Sequence, residues 1–405
     1  MRVALFTREY PPHVYGGAGV HVDYLSRELA RSIEVEVHCF GEQHSAADNL
    51  AVIGHQPWDR ITTEEKFRGA LEALSVNLDS VQHLRGVDVV HTHTWYATMA
   101  GWWAKILYAT PFVLTTHSLE PLRAWKSEQL GSGYRMSSWM ERTAIENADA
   151  VIAVSHGTKA DILRAYPALA PERIHVIYNG IDLDEYRPDP NVQYLEAFGV
   201  DPSRPYILFV GRITRQKGVT HLVDAVHHLP ADTQVVLCAG APDTPEIAAE
   251  MRAKVMALQQ SHRRVLWIEK MVSKPEVIQL YSHAAVFCCP SIYEPFGIIN
   301  LEAMACETAV VASATGGIKE VVVAGETGLL VPLHQDLQTS TPLDPSGFAR
   351  DLAAAIAELL ADPRRQRAFG RAGRARVEAM FSWRAIAQQT IALYRKLSAA
   401  RTVPQ

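Results

Sequence analysis

The stretch Val286-Phe-Cys-Cys-Pro-Ser-Ile-Tyr-Glu294-Pro-Phe-Gly-Ile-Ile-Asn-Leu-Glu302-Ala-Met-Ala305 decides the fold. Its apolar start predicts a strand, Pro295 and Gly297 predict a bend, and the residues after Leu301 have helix-forming composition. Glu294 would then lie in the loop at the carboxyl end of the strand, and Glu302 in the first turns of the helix. Ligands of open α/β sheets bind at that edge, so the two carboxylates could hold hydroxyls at the two ends of a sugar nucleotide. The alternative is a buried salt bridge together with a favourable charge at a helix start.

Short apolar runs rich in β-branched residues alternate with longer helical stretches along the whole chain. Continuous apolar strands are typical of parallel sheets, and regular strand–helix alternation predicts a doubly wound α/β architecture. The predicted strands are Val3–Phe6, Val35–Cys39, Val87–His91, Phe112–Thr116, Val151–Val154, His175–Tyr178, Tyr206–Val210, Val235–Ala239, Val265–Ile268, Val286–Cys289, Val310–Ala312 and Gly328–Val331. A polar, proline-rich segment at 182–203 predicts a linker between two Rossmann-like domains, 1–183 and 184–381.

Composition excludes several classes of protein. The 405 residues carry a net charge of −5, from 39 basic and 44 acidic side chains, which argues against a nucleic-acid or membrane-surface binder. No apolar run approaches the length that spans a bilayer, and the N-terminus predicts a first strand rather than a signal peptide. The five cysteines include no Cys-x-x-Cys pair, which predicts core thiols in a reducing cytoplasm. We therefore expect a cytoplasmic protein with small-molecule substrates, and a homodimer is possible.

The segment Glu9–His21 follows the first predicted strand and opens a helix. Gly16, Gly17 and Gly19 leave backbone N–H groups exposed at the helix start, which suits a phosphate, although a turn that merely needs glycine is the alternative. A dinucleotide fingerprint needs a third glycine where Val22 stands. The failed fingerprint argues against an NAD-linked oxidoreductase.

Two cations flank a second predicted strand-to-helix turn, Gly211-Arg-Ile-Thr-Arg-Gln-Lys-Gly218. Arg212 can make a forked contact with a diphosphate and Lys217 a point contact. An exposed basic loop is the alternative.

The run from Glu294 to Glu302 resembles the Glu-x7-Glu motif of the retaining GT-B glycosyltransferases, in particular those of glycosyltransferase family 4. The Gly211–Gly218 turn resembles the same family's Gly-Arg…Lys-Gly motif. The resemblance implies a GT-B fold: two doubly wound Rossmann-like domains facing a central cleft, with a C-terminal helix (382–397) packing back on the first domain. The resemblance also implies front-face attack with retention of configuration. From the residues themselves, no carboxylate pair suggests a double displacement.

The resemblance also implies roles for individual residues. His117, Arg212, Lys217 and Glu294 would be catalytic, with His117 and Glu294 facing the transferred sugar and the two cations facing the leaving diphosphate. Donor-binding residues would be Gly16, Gly17, Gly297, Ile298, Glu302, Gly316 and Gly317. Among these, Glu302 would bind the ribose and the glycines would bring backbone close to the sugar and diphosphate.

The segments Arg123–Glu141 and Val90–Tyr96, taken with Glu9–His21, resemble the short bacterial glycogen synthases. That group includes enzymes that make α-maltose 1-phosphate from ADP-glucose and glucose 1-phosphate. The implied function is α-1,4-glucosyl transfer from ADP-glucose to glucose 1-phosphate, to an α-glucan, or to both. The acceptor-binding candidates are Tyr96, Arg123, Lys126 and Tyr134.

The sequence alone does not decide between glucose 1-phosphate and an α-glucan as the acceptor. Cations, including Arg135, would suit glucose 1-phosphate, whereas the aromatic side chains of Trp95 and Trp125 would suit a glucan. Two further alternatives are a GT-B transferase that uses a UDP- or GDP-sugar with another acceptor, and a catalytically silent sugar-nucleotide sensor.

Neither a metal nor a cofactor is expected. His91 and His93 lie two apart at a strand end, but neither a carboxylate nor a cysteine accompanies them at ligand spacing. Asp182-Leu-Asp184 mimics the metal-binding motif of other glycosyltransferases, but it lies at the linker.

Overall fold

A computed structural model describes residues 1–14, 16–123, 133–262, 264–270, 272–336 and 339–401. Its chain forms two compact units. The first unit runs from Met1 to Gly180 and resumes at Trp383, and the second unit runs from Ile181 to Ser382. Both are α/β units built on a largely or wholly parallel sheet, as the strand–helix alternation predicts.

The first unit contains eight strands and six helices longer than one turn within the described residues. The strands are β1 Arg2–Thr7, β2 Glu34–Phe40, β3 His44–Ala47, β4 Leu50–His55, β5 Val89–His93, β6 Phe112–Thr116, β7 Ala150–Ala153 and β8 Ile174–Val176. The helices are α1 Gly17–Ala30, α2 Glu65–Gln82, α3 Thr98–Tyr108, α4 Gly133–Asn147, α5 His156–Ala165 and, from the far end of the chain, α14 Trp383–Arg401.

The strand order of the first sheet is β3-β4-β2-β1-β5-β6-β7-β8, and every neighbouring pair is parallel except β3 with β4. Strand order reverses at β1, which pairs with β2 on one side and β5 on the other. The loops that follow β1 and β5 therefore flank the point where α/β sheets bind their ligands.

The antiparallel pair β3–β4 is absent from the predicted strands. All four residues of β3 are exposed, so the strand carries no buried apolar face for a sequence pattern to reveal. It is held instead by main-chain pairing with β4, from His44 opposite Ile53 to Ala47 opposite Leu50.

The second unit contains six strands. They are β9 Tyr206–Arg212, β10 Gln234–Gly240, β11 Val265–Ile268, β12 Val286–Cys289, β13 Val310–Ser313 and β14 Gly328–Val331. Its helices are α6 Gln193–Phe198, α7 Val219–Val226, α8 Pro245–Ser261, α9 Lys274–His283, α10 Ile298–Ala305, α11 Ile318–Val321, α12 Pro345–Leu360 and α13 Pro363–Met380. The order β11-β10-β9-β12-β13-β14 is parallel throughout, and the strand order reverses between β9 and β12.

Burial follows the predicted pattern. Residues 206–208, in the middle of the second sheet, are fully buried because helices cover both faces of the strand. All five cysteines are buried and unpaired. In the part of the chain that the structure describes, every helix is too short or too polar to serve as a membrane span.

Candidate functional site

Three loops of the second unit meet at the carboxyl ends of β9, β12 and β13. The Ile292 amide donates to the Gln216 carbonyl over 2.9 Å, which joins the first loop to the second. The Gly317 amide donates to the Glu294 carbonyl over 2.9 Å, which joins the second loop to the third. A side chain at Gly316 would collide with that same carbonyl oxygen, so the close approach needs glycine.

Lys217 and Glu294, which come from two of these loops, form an ion pair. The Lys217 ammonium lies 2.6 Å from Glu294 Oε2, and the Ser291 hydroxyl donates to the same oxygen over 3.3 Å. Burial alone would lower the pKa of the Lys217 ammonium, but the adjacent Glu294 carboxylate outweighs it and the pKa is raised. The lysine is therefore held as a cation at the strand edge.

Arg212 ends β9 and has a carboxylate partner of its own. Its guanidinium donates to Asp243 over 2.9 Å, and the Asp243 side chain is only 11% exposed. Asp243 is not among the residues predicted from the sequence. The available signal was its position just after β10, the neighbour of β9 in the sheet.

Glu302 lies on α10 with its carboxylate between two tyrosine hydroxyls. Tyr281 donates over 3.0 Å and Tyr186 over 3.2 Å, one to each carboxylate oxygen. Burial raises the pKa of the Glu302 carboxyl to about 6, although the two tyrosine hydrogen bonds act in the opposite direction. Its two acceptor oxygens suit a vicinal pair of hydroxyl groups.

Gly297 and Ile298 begin the same helix. Gly297 has a φ of 98° and precedes the first helical residue, Ile298. A side chain at Gly297 would approach Asn300 Nδ2 within 2.6 Å. The left-handed backbone turns the chain from the Glu294 loop directly into α10.

The first unit places its predicted glycines at the start of α1, which begins at Gly17. The Gly16 amide, expected to face a diphosphate, donates to Glu9 Oε2 over 2.7 Å. A side chain at Gly19 would lie within 3.0 Å of Glu9 side-chain atoms. This helix start therefore already has a carboxylate at its positive end in this structure, a contact that the glycine spacing did not indicate.

His117 follows β6 and packs against other histidines of the first unit. One ring nitrogen of His117 lies 3.0 Å from His93 Nδ1, and its ring centroid lies 4.7 Å from that of His21. Burial lowers the pKa of both His93 and His117 well below the usual value. Both imidazoles are therefore neutral at physiological pH.

Of the acceptor-binding candidates, Tyr96, Arg123 and Tyr134 lie among the described residues. Tyr96 stacks on Trp95 with centroids 3.8 Å apart, and the Tyr134 hydroxyl donates to the Glu120 carbonyl over 2.6 Å. Trp95 itself is only 6% exposed and belongs to a core cluster, so it offers no open ring face to a glucan. Lys126 and Trp125 lie outside the described residues.

The Arg123 guanidinium donates a hydrogen bond to the Ser118 hydroxyl over 3.1 Å and a weaker one to Glu120 Oε1 over 3.5 Å. Glu120 is nearly fully buried and lies next to a second buried carboxyl, Glu141, which accepts hydrogen bonds from the Glu120 amide. Burial raises the pKa of Glu141 to about 8, with a further contribution from the Glu120 charge. Sequence reasoning missed this pair, because the two glutamates lie 21 positions apart.

Two family models match the chain, one on each side of the predicted linker. The model described as "Glycosyltransferase Family 4" matches residues 15–185, and the model described as "Glycosyl transferases group 1" matches residues 193–376. Together with the relatives described next, they place this chain in the family 4 glycosyltransferases.

The similarity to individual relatives extends over the full length. The chain is 52% identical to an alpha-maltose-1-phosphate synthase of Mycolicibacterium smegmatis and 50% identical to that of Mycobacterium tuberculosis, in each case over 98% of this chain and 100% of the relative. Among solved structures, a sucrose-phosphate synthase from Thermosynechococcus elongatus is 29% identical, with a TM-score of 0.78 over 98% of this chain and 99% of that one. The predicted family and GT-B fold class are confirmed.

Proposed function

We propose that this glycosyltransferase transfers glucose from ADP-glucose to glucose 1-phosphate, forms α-maltose 1-phosphate, and retains the α configuration. The observation that carries the proposal is the 52% identity over the full chain to an alpha-maltose-1-phosphate synthase. The side chains at the edge of the second sheet support the same chemistry. Extension of an α-glucan by the same transfer is a second outcome that the assay below separates.

The donor residues support a reaction driven by charge neutralisation. As the bond between glucose C1 and the diphosphate oxygen breaks, negative charge develops on the departing ADP. Lys217 and Arg212 are the cations that would stabilise this negative charge. Lys217 forms an ion pair with Glu294 and Arg212 with Asp243, and the diphosphate would compete with these two carboxylates. The Glu294 carboxylate, once Lys217 turns to the phosphate, would favour positive character on the sugar.

The transfer needs no reactant beyond the donor and the acceptor. The 4-hydroxyl oxygen of the acceptor glucose forms the new bond to C1 on the face that ADP leaves. The hydroxyl proton passes to an oxygen of the departing diphosphate. His117 has a lowered pKa and would serve as a neutral hydrogen-bonding partner for the sugar rather than as a charged acid. Glu302 would hold the ribose through its two acceptor oxygens.

Acceptor selection would depend on the first unit. Arg123 is 14% exposed at its side chain, and its Nε is buried without a hydrogen-bond partner among the described residues. A guanidinium with an unused donor suits the phosphate of glucose 1-phosphate better than an uncharged glucan end. This observation favours the small acceptor over the polymer.

The experiment is ADP release measured with ADP-glucose and, in separate reactions, glucose 1-phosphate and glycogen. We expect faster release with glucose 1-phosphate and a product that a phosphatase converts to maltose. Release with glycogen alone would make the chain a glycogen synthase and refute the proposed acceptor. UDP-glucose and GDP-glucose are offered in parallel, and faster turnover with either would refute the proposed donor.

Arg123→Ala separates acceptor binding from general damage. We expect it to raise the KM for glucose 1-phosphate while leaving the KM for ADP-glucose close to that of the parent. Arg142→Ala is a matched control, since Arg142 is an exposed arginine of the same unit that stacks over Tyr166 at 6.0 Å. Equal effects of the two variants would remove Arg123 from the acceptor site.

A further inference from the structure

Three imidazoles of the first unit converge from separate elements. His21 comes from α1, His93 ends β5, and His117 directly follows β6. One ring nitrogen from each lies within 4.8 Å of the other two, and we call this group the histidine triad. His21 is 3% exposed and His93 is fully buried, whereas His117 keeps partial exposure. No metal role follows from the sequence, because these residues are separated by 72 and 24 positions.

The ring nitrogens have lone pairs available for a ligand. The Asn179 side-chain oxygen lies 2.6 Å from His21 Nδ1, which places the proton on Nδ1 and leaves Nε2 as a bare acceptor. His21 Nε2 and His93 Nε2 are both buried and have no hydrogen-bond partner in the described parts of the chain. His93 Nδ1 and His117 Nε2 lie 3.0 Å apart, so that contact holds a single proton.

A fourth histidine, His91, lies beside His93 and differs from the triad because both of its ring nitrogens are hydrogen-bonded. The two ring nitrogens of His91 are engaged by the Tyr394 hydroxyl at 2.5 Å and the Thr115 hydroxyl at 2.7 Å. His91 is therefore part of the hydrogen-bonded core. Among these four histidines, the ring nitrogens that are buried without a hydrogen-bond partner belong to His21 and His93 of the triad.

We propose that the histidine triad binds a divalent transition-metal ion of the zinc class. Three imidazole donors and no oxygen donor suit Zn²⁺, Co²⁺ or Ni²⁺ and do not suit Mg²⁺ or Ca²⁺. Two nitrogens on a tetrahedral zinc lie roughly 3.4 Å apart, given Zn–N distances of about 2.0–2.1 Å, so the contact between His93 and His117 has to open only slightly. The metal would replace that hydrogen bond, and its proton would move to the second nitrogen of the ring that carries it.

The surroundings also fit a metal. The hydrogen bond from His21 to Asn179 is the outer contact that fixes tautomer and ring orientation in protein metal sites. His117 is a partly exposed residue, which offers a route of access and would leave the fourth position for water.

The consequence for activity rests on the proposed function. If His117 contacts the transferred sugar, a metal bound to its ring would prevent that contact and inhibit the enzyme reversibly. The metal would act as an inhibitor and not as a required cofactor. A chelator would then leave the activity of the purified enzyme unchanged or raise it.

The test is titration of the chelator-treated full-length protein with Co²⁺, followed by visible absorption. We expect the intense bands of four-coordinate cobalt, saturating at one equivalent and displaced by Zn²⁺. His21→Ala should abolish them. Asn179→Ala keeps all three ligands and should weaken Co²⁺ binding by about 10–100-fold. Absence of these bands from the parent protein, or unchanged bands in His21→Ala, would overturn the proposal.

A second cluster in the same unit provides the matched control. His55, Asp79 and His83 also bring potential ligand atoms within 4.8 Å, and His83 is exposed. His83→Ala should leave the cobalt bands intact, and their loss would assign the metal to that cluster and refute the triad. Circular dichroism and thermal melting of each variant verify the fold. Glucosyl transfer is assayed on the metal-free enzyme: cobalt bands in a protein that shows no such transfer would contradict the proposed function alone, and transfer by a protein that gives no cobalt bands would contradict the metal site alone.

Discussion

At the scale of single residues, the ion pair between Lys217 and Glu294 makes the sharpest prediction. Lys217→Ala should reduce kcat/KM by about 100-fold or more, because it removes a cation expected to stabilise charge on the departing diphosphate. Steady-state ADP release measures the effect. Near-normal turnover would remove Lys217 from the reaction.

Lys254→Ala is the matched control for that change. Lys254 makes an ion pair of the same 2.6 Å length with Asp224, but it bridges α8 and α7 away from the strand ends. It should leave kcat/KM close to the parent value. A comparable loss in both variants would point to damaged folding rather than lost chemistry.

Glu302 predicts a pH dependence of donor binding. Its folded-state pKa is raised to about 6, so the carboxylate is ionised above that pH and becomes a neutral carboxyl below it. A neutral carboxyl is a weaker acceptor for ribose hydroxyls, so the KM for ADP-glucose should rise as the pH falls through about 6. The measurement is donor KM across mildly acidic to neutral pH.

Glu302→Gln tests whether Glu302 causes that rise. The variant should bind the donor weakly at every pH and lose the step near pH 6. Glu307 is an exposed glutamate just beyond the same helix, and the control variant Glu307→Gln should keep the step near that pH. A step that persists in Glu302→Gln would assign the titration to another group.

At the scale of elements, the loop after β13 is predicted to support the loop that carries Glu294. Gly316 has a φ of 47°, and a side chain there would collide with the Glu294 carbonyl oxygen. Gly316→Ala therefore combines left-handed strain with overpacking, a cost of about 3 kcal/mol or more in the free energy of unfolding. Urea unfolding measures stability, and ADP release should fall further than stability alone explains.

Gly325→Ala isolates the strain from the collision. Gly325 has a φ of 78°, and a side chain there would meet open space. The variant should lose about 1–2 kcal/mol in the free energy of unfolding, from backbone strain alone, and keep its kcat. If the two alanine variants behave alike, contact with the Glu294 loop is not what requires glycine at Gly316.

Elements were more predictable than the contacts between them. Strands such as β12 were evident because helices bury both faces, which requires a continuous apolar run. The β3 strand was hidden because it buries none of its side chains. The histidine triad and the Arg212–Asp243 pair were hidden because they form only when residues from separate elements meet in the folded chain, and spacing along the sequence does not indicate that contact.

The Glu-x7-Glu and Gly-Arg…Lys-Gly motifs could be placed in advance for a different reason. Each lies within one strand-loop-helix segment, so local sequence determines its geometry. Their roles in binding and catalysis remain predictions. Trp95 illustrates the opposite case, because an aromatic side chain near a strand end fits a sugar platform and a core position equally well, and only packing with Met99 and Met140 decides for the core.

At the scale of the whole molecule, the first unit is built from both ends of the chain. Helix α14 follows the second unit in sequence, yet Trp383, Ile386 and Tyr394 lie in the core of the first unit beside residues of β1 and α1. The Tyr394 hydroxyl also bonds the buried imidazole of His91 at 2.5 Å. The first unit therefore cannot complete its core until the C-terminal helix has been synthesised.

Tyr394→Ala should consequently destabilise the first unit although the substitution lies eleven residues from the end of the sequence. Loss of a fully buried aromatic side chain costs about 3–5 kcal/mol. Hydrogen exchange resolved by segment should show faster opening of β1 and β5, with the second-unit strands β9 and β12 unchanged. Trp139→Ala, which removes an aromatic side chain that is 49% exposed in the same unit, should change stability by no more than about 0.5 kcal/mol. Equal protection of β1 in the parent and in Tyr394→Ala would show that the first unit folds without the contribution of α14.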